Sequence, residues 1–452
     1  MQNNIQNFHV KTFGCQMNVY DSQRITDVFY KLGYKKVSSE IEADIVLINT
    51  CHIRDKAKQK LYSELGKIYK IKKTRSLEGK LTIIIVAGCV AQAEGEEIFN
   101  RAPYVDLIVG SQSYQKLPIL IKKKLLQFNR NTKKELIELD FEPKSKFDDL
   151  PKEKFTNEVS SYLTIQEGCN KFCKFCVVPY TRGPEYSRPV KDIIVEAKNL
   201  VLNGTKEIIL LGQNVNAYHG ETLNKKENNL GQLIFKLAKI NGLKRIRYMT
   251  AHPKDMHESL YMAHRDVEKL MPFLHLPVQS GSDKILKLMN RNYTSKDYLK
   301  IIEKIKKFKP NITFSSDFIV GYPGETDNDF NKTLDLIDIV QYSQSFSFIY
   351  SPRPGTMAYK LKDLISLNEK KRRLKIIQAR LKKYQEKFNN SLINRSIPVL
   401  FTNSIKKKYQ SVGYSPYMQL VRLEKAKNMK GKIKNLIITK SFYKSLEAVK
   451  EA

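Results

Sequence analysis

The sequence predicts an α/β protein made of an open α/β N-terminal domain, a partial (β/α)6 barrel and a small C-terminal antiparallel β-barrel. Three observations carry this. Apolar, β-branched runs alternate with helix-periodic stretches through most of the chain. The alternation has a short beat before residue 126 and a longer one from Ser161. Beyond residue 390 helical periodicity gives way to closely spaced short strands.

In the first part, Phe8 to Phe13 is a short strand and Asp21 to Leu32 has helical apolar spacing. Ala43 to Asn49 reads as a buried parallel strand. A basic helix, the strand Leu81 to Ala87, another helix, the strand Val105 to Val109 and a lysine-rich helix complete an open layout over residues 6–126. Residues 127–154 are dense in charge without periodicity and are expected to be a linker. Residues 155–387 carry six strand candidates: Tyr162 to Gln166, Glu207 to Gly212, Arg245 to Thr250, Phe273 to Val278, Ile312 to Val320 and Ser343 to Tyr350. Helical stretches between them make a partial relative of the eight-unit barrel. A long basic helix from Asn368 leads to residues 390–452, where Ile397 to Phe401, Tyr409 to Tyr414, Gln419 to Leu423 and Ile433 to Ile438 fit a five-stranded barrel of the oligonucleotide-binding kind.

The composition narrows the function. Hydrophobic residues are 41% and charged residues 28%, as in a globular protein. Lys plus Arg is 79 against 46 Asp plus Glu, a net charge of +33 that attracts polyanions, nucleic acid above all. The N-terminus has no basic start followed by an apolar run, so no signal peptide is expected. The longest apolar stretch, Leu81 to Ala91, is about half the length that spans a bilayer. A cytoplasmic protein without membrane attachment is expected, and there cysteines stay reduced and serve metal or redox chemistry.

The six cysteines fall into two triads. Cys169, Cys173 and Cys176 have the spacing Cys-x3-Cys-x2-Cys just after the first barrel strand. Such a loop lets three thiolates face one centre. A four-iron, four-sulfur cluster takes four cysteine ligands as a rule, so three leave one iron open to bind something else. Zinc wants four ligands, and no local His or Cys completes the set; the next histidine is His219. Cys15, Cys51 and Cys89 each follow a strand of the N-terminal domain. Carboxyl ends of neighbouring parallel strands share one edge, so these three are expected to converge there as a second iron–sulfur site. Cysteine is also a small buried hydrophobe, but three at equivalent strand ends, flanked by Gly or Thr, suit a ligand set better.

Cys-x3-Cys-x-Phe-Cys after the first barrel strand resembles the radical S-adenosylmethionine superfamily. The two triads in this order, followed by a β-barrel tail, resemble its methylthiotransferase family over nearly the whole chain, the tail being similar to the RNA-binding TRAM domain. Segments carrying the likeness include Thr12-Phe-Gly-Cys-Gln-Met-Asn18, Asn49-Thr-Cys-His-Ile-Arg-Asp-Lys-Ala57, Gly88-Cys-Val-Ala-Gln92 and Gly168 through Pro189. Leu211-Gly-Gln-Asn-Val-Asn216, Leu276-Pro-Val-Gln-Ser-Gly-Ser282 and Tyr350-Ser-Pro-Arg-Pro-Gly-Thr356 add to it. Ala251 and Tyr322 depart from the family's usual Ser and Phe.

The resemblance implies two [4Fe-4S] clusters and S-adenosyl-L-methionine as cofactors. The implied reaction replaces C2–H of N6-isopentenyladenosine at position 37 of tRNA, beside the anticodon, with a methylthio group. An aromatic C2–H is neither acidic nor attached to a leaving group, so a radical route suits it, and no catalytic acid or base is singled out. Implied partners are the tRNA, a low-potential electron donor and iron–sulfur or sulfur supply proteins. Alternatives are a sister enzyme acting on threonylcarbamoyladenosine or on a ribosomal protein, and a non-enzymatic iron–sulfur RNA-binding redox sensor.

Gln213 and Asn214, Gln279 and Ser280, and Ser315 and Asp317 end or lie on three barrel strands and resemble cofactor-contacting segments of the superfamily. His52 and His275 read as hydrogen-bonded structural histidines. Lys370 to Arg373 and Lys406 to Lys408, the latter beside Tyr409 for stacking, are the phosphate-contact candidates.

Overall fold

The computed structural model describes the chain except residues 1–4, 52–54, 131, 133–134, 141–142, 152–157, 406–409, 425, 427 and 452. His52, Lys406 to Lys408 and Tyr409 therefore lie outside the described residues. The chain divides into two compact units, one of residues 1–156, 167–170 and 177–186, the other of 157–166, 171–176 and 187–452. The segments 167–170 and 177–186, which the sequence assigned to the barrel, thus belong to the first unit.

The first unit runs β1 (Asn7–Phe13), α1 (Gln16–Lys31), β2 (Lys35–Lys36), β3 (Ile45–Thr50), α2 (Asp55–Leu77), β4 (Ile83–Ala87), α3 (Cys89–Glu94), α4 (Glu97–Arg101), β5 (Leu107–Val109), α5 (Leu117–Asn129), β6 (Leu136–Glu138) and α6 (Pro143–Asp149), with α7 (Val178–Arg182) from the later segment. The strands form one parallel sheet in the order β2-β1-β3-β4-β5-β6. The central strands are apolar at nearly every position because both faces are covered. Leu47, Ile83, Ile85 and Leu107 pack with Ile25 and Phe29 of α1, while Val46, Ile48, Ile84 and Val86 pack with Leu61 and Leu65 of α2.

The expected linker at 127–154 is a correction. It holds β6, paired with β5, and α6, whose Lys146 is fully buried on Glu167. Charge density hid these elements, because the buried charges there have partners.

In the second unit β7 (Ser160–Thr164) comes first, and β8 (Gln166–Glu167) and β9 (Tyr186–Ser187) lie where the chain leaves and re-enters the unit. Then follow α8 (Val190–Leu202), β10 (Glu207–Leu211), the hairpin β11 (His219–Glu221) and β12 (Glu227–Asn229), α9 (Leu230–Ala238), β13 (Arg245–Tyr248), α10 (Glu258–Asp266), β14 (Phe273–His275), α11 (Asp283–Leu288), α12 (Ser295–Phe308), β15 (Thr313–Val320), α13 (Asp327–Val340) and β16 (Gln344–Ile349). The six expected strands are present and hydrogen-bond as two parallel three-stranded sheets, β13-β10-β7 and β14-β15-β16. An Ile246–Leu270 bridge ties β13 to the segment before β14. Ile208, Leu210, Ile246, Tyr248, Phe314 and Phe318 belong to one core with the surrounding helices, and alternate residues face the other way. Capping boxes at Thr294/Asp297 and Thr326/Asp329 start α12 and α13.

Helix α14 (Leu367–Asn390) leads into β17 (Ser396–Ile405), β18 (Gln410–Tyr414), β19 (Leu420–Leu423), β20 (Ile433–Ser441) and β21 (Ser445–Lys450), a closed barrel ordered β17-β18-β19-β21-β20. Its core is Val399, Phe401, Val421, Leu436, Ile438 and Leu446. Two buried arginines of β13 hold it. Arg245 donates to the carbonyls of Tyr414 (2.8 Å) and Pro398 (2.6 Å), and Arg247 to those of Pro416 (2.7 Å) and Ser415 (2.8 Å). Glu207 anchors Arg247 from beneath at 2.7 Å.

The phosphate-contact reading of Lys370 to Arg373 needs correcting at two positions. Lys370 is buried against Asp363, and Arg373 is buried on Glu325 at 2.8 Å, so both are structural ion pairs. Lys371 and Arg372 stay exposed.

Candidate functional site

The first unit gathers Cys15, Cys51 and Cys89. They follow β1, β3 and β4, three adjacent strands, at the carboxyl edge of the sheet. Close approach needs glycine here. A Cβ on Gly14 would lie 2.5 Å from the Cys51 Cβ, and one on Gly88 would lie 2.3 Å from Asn49 Oδ1. Both glycines have positive φ, 135° and 91°, which an L side chain resists. Asn18 and Asn49 brace the edge: Asn18 Nδ2 donates to Asn49 Oδ1 at 3.0 Å, and the Cys15 thiol donates to Asn18 Oδ1 at 3.3 Å. The Thr50 hydroxyl, next to Cys51 in the chain, is buried without a hydrogen-bond partner.

Two of these thiols, Cys15 and Cys89, differ electrically. A hydrogen bond from Cys51 chiefly holds Cys15 down to about 6, against the upward push of burial. Burial pushes the Cys89 thiol up, although Arg182 opposes it. Arg182, on α7, donates from Nε to Cys89 Sγ at 3.3 Å and from Nη2 to Asp21 Oδ2 at 2.6 Å. Lys146 spans Glu167 (2.5 Å) and Asp21 (3.5 Å). Burial alone would raise the Asp21 carboxyl, but Arg182 and Lys146 hold it below the usual carboxylate range. All four side chains are essentially inaccessible, so they form a closed set of two cations and two anions.

All six cysteines are thiols. Among the described residues no three His, Cys, Asp or Glu side chains meet closely enough to hold one metal ion. A cubane cluster is wider than an ion and its thiolates stand farther apart.

Cys169 belongs to the first unit, its amide donating to Gly183 O at 3.3 Å, and Cys173 and Cys176 belong to the second. In the second unit, Cys176 N bonds Cys173 O at 2.9 Å, closing a turn. The loop is fastened by Lys171 to Asp255 (2.7 Å), Lys174 N to Met289 O (3.0 Å) and Asn290 Nδ2 to Phe172 O (3.1 Å). Arg291, buried, sets Nη1 3.6 Å from Cys173 Sγ.

The candidate cofactor residues separate. Asn214 is buried with Nδ2 on Asp255 at 2.8 Å and its Oδ1 unpartnered, and Gln213 is half-buried beside it. Gln279 has φ 75° and pairs its backbone with β15 through Asp317 O. Ser280 is fully buried, its hydroxyl 3.3 Å from Thr333 of α13. Ser315 lies 3.0 Å from His275 Nδ1, and Asp317 Oδ2 lies 3.7 Å from His275 Nε2. On that face of β16, Phe346 stands opposite Asp317 and Phe348 opposite Ile319, with 45% and 42% of their surfaces exposed. The Phe346 ring meets His275 edge-on at 6.5 Å.

Sequence reading missed Arg182, Arg291, Asp255, Phe346 and Phe348. Arg182 sits in the quoted segment after the second triad, so position could have flagged it. Arg291 is 118 residues from its cysteine, and only the fold joins them.

Residues 7–110 match the model of Uncharacterized protein family UPF0004, and residues 163–337 match that of the Radical SAM superfamily. The chain is 53% identical over 447 residues, 98% of itself and 99% of the relative, to a protein of Wolbachia pipientis subsp. Culex pipiens (strain wPip) named tRNA-2-methylthio-N(6)-dimethylallyladenosine synthase. A protein of the same name from Rickettsia typhi (strain ATCC VR-144 / Wilmington) is 52% identical over 440 residues, covering 97% of this chain and 98% of the relative. Among solved structures, a cobalamin-dependent S-adenosylmethionine radical enzyme with aqua-cobalamin bound aligns at TM-score 0.55 and 14% identity, over 84% of this chain and 56% of that one. A radical S-adenosylmethionine methyltransferase from Kitasatospora setae, with tryptophan and an S-adenosylmethionine analogue, aligns at TM-score 0.54 and 11% identity, over 78% and 75%. At those identities the likeness is one of fold. With more than half its residues shared with full-length relatives, the chain belongs to the tRNA-2-methylthio-N(6)-dimethylallyladenosine synthase family of the radical SAM superfamily.

Proposed function

We propose that this chain is a cytoplasmic transferase that replaces C2–H of N6-isopentenyladenosine at position 37 of tRNA with a methylthio group. The observation that carries the reading is 53% identity over 98% of the chain to an enzyme named for that product. The convergence of Cys15, Cys51 and Cys89 at one sheet edge supports it. The enzyme names of these relatives also speak against a non-enzymatic sensor.

In this reading residues 6–126 carry a sulfur-holding site, residues 155–387 a radical core and residues 390–452 an RNA-binding tail. Cys169, Cys173 and Cys176 would hold the [4Fe-4S] cluster that the superfamily implies, and Cys15, Cys51 and Cys89 a second one. The donor set fits: Arg291 and Arg182 each place a guanidinium against one sulfur. Asn214 Oδ1, buried and unpartnered, is an acceptor suited to an ammonium or hydroxyl donor of S-adenosylmethionine. When bound, cluster and S-adenosylmethionine supply one-electron chemistry able to remove hydrogen from an unactivated C–H. The chain's residues do the rest. Gln213, Asn214, Gln279, Ser280, Ser315 and Asp317 are proposed to border the cofactor, with Ser280 acting through the turn it braces, its hydroxyl accepting from Ser282 N at 3.2 Å. Phe346 and Phe348 offer an apolar, aromatic face on which an adenine and its isopentenyl group can stack. Among the described residues no helix is long and apolar enough to cross a membrane. Turnover calls for a low-potential electron donor and proteins that supply sulfur.

Mass spectrometry of tRNA nucleosides tests the reading. A strain lacking the gene should accumulate N6-isopentenyladenosine and lose its 2-methylthio form, and this chain should restore it. Unchanged methylthiolation in the deletion strain sinks the substrate assignment. Anaerobically purified protein should carry about eight irons per chain; fewer than five contradicts two clusters.

A further inference from the structure

We infer that Arg291 is a positioning residue that sets an uncompensated positive charge against the Cys173 sulfur and so makes the second triad's cluster easier to reduce than its three thiolates alone would allow. The inference rests on the reading that Cys169, Cys173 and Cys176 hold a cluster.

The case is geometric. Arg291 is buried, 6% exposed, so its charge is poorly screened by water. Nη1 lies 3.6 Å from Cys173 Sγ. Its other bonds go to neutral groups, from Nη2 to Pro277 O at 2.6 Å and from Nε to Tyr293 Oη at 2.9 Å. Among the described residues no carboxylate forms an ion pair with it. The ring of His252 feels the same field: burial first, then the charges of Arg291, Lys171 and Lys254, hold it down to about 2, which keeps it neutral. Of these cations Lys171 is offset by Asp255 at 2.7 Å. Lys254 adds to Arg291.

The first triad supplies the contrast. Arg182 touches Cys89 at 3.3 Å in much the same way. There Asp21 and Glu167 neutralise Arg182 and Lys146 within one buried set. Among the described residues an arginine on sulfur therefore occurs twice, and there only at Cys173 does its charge lack a paired carboxylate. A cluster gains one negative charge when it takes one electron from an outside reductant. A fixed cation at the sulfur favours that state, and contacts to cluster sulfurs are among the determinants of reduction potential.

The test uses the full chain with Cys15→Ala, Cys51→Ala and Cys89→Ala, so that one cluster remains, reconstituted anaerobically and titrated with redox mediators under electron paramagnetic resonance. At the potential where the parent is half reduced, Arg291→Gln should lower the reduced-to-oxidised ratio about tenfold, a midpoint about 59 mV more negative. Arg291→Lys should recover most of it. Tyr293→Glu keeps the guanidinium but gives it a counter-charge, and should shift the ratio the same way; it serves if Arg291→Gln fails to load iron. A parent that loads iron, with both neutralising variants at the parent's midpoint, overturns the inference. A parent that binds no cluster overturns the cluster reading instead.

Discussion

At the scale of single residues, the first triad depends on groups that are small or poised rather than on the sulfurs alone. Gly88→Ala puts a methyl group 2.3 Å from Asn49 Oδ1 in a φ 91° conformation. It should cost about 1–3 kcal/mol and leave purified protein with roughly half its iron, as read by melting temperature and iron analysis. The thiols also titrate apart. With Cys15 held to about 6 by Cys51's hydrogen bond and Cys89 pushed up by burial, Cys15 loses its proton well before Cys89 when no metal is bound. Alkylation of metal-free protein at pH 7, followed by peptide mass spectrometry, should label Cys15 ahead of Cys89. The Cys15 rate should rise through pH 6 rather than near 8.5. Phe346→Ala should raise KM for tRNA while leaving iron content and reductive cleavage of S-adenosylmethionine intact; loss of iron would show a structural role instead. The cysteines were legible in sequence because strand periodicity and flanking glycines mark strand ends. The arginines against them were not, since a contact spanning 93 or 118 residues leaves no local pattern.

Among the elements, α14 shows how charge misleads. Its Lys370-Lys-Arg-Arg run looks like a phosphate site, yet Arg373 is a buried strut between α14 and the start of α13, bonded to Glu325, Glu369 and Asp327. Arg373→Ala leaves Glu325 buried and unpaired and should destabilise the second unit by about 3–5 kcal/mol, measurable by chemical denaturation. Lys371→Ala, at an exposed position on the same helix, should change stability little. The same blindness turned β6 and α6 into an expected linker. Hydropathy counts Lys146 as solvent-seeking, whereas the fold sets it among Glu167, Asp21 and the ring of Tyr114. Periodicity served better where partners are generic. The six barrel strands were all legible because apolar alternation needs only a helix layer, whichever residues line it.

For the whole molecule, the +33 charge makes salt the natural probe. Phosphate contacts release counter-ions, so tRNA affinity should fall steeply and log-linearly with salt, by more than tenfold between 50 and 200 mM in filter-binding assays; a flat response would leave the lysine excess as mere surface. The closed C-terminal barrel bears on a different matter. Arg245 and Arg247 grip it only through carbonyl oxygens of Pro398, Tyr414, Ser415 and Pro416. Every amino acid owns a carbonyl, so these two arginines impose almost no demand on which side chains follow; the side-chain demand of the joint falls instead on Phe388 and Tyr417, whose rings meet edge-on at 5.5 Å. The tail's outer surface is thereby free to drift, and to be exchanged between homologues, while its seat on the core stays put. Chimeras that keep β13 and trade the last sixty or so residues should fold with an unaltered joint and differ chiefly in which nucleic acid they prefer.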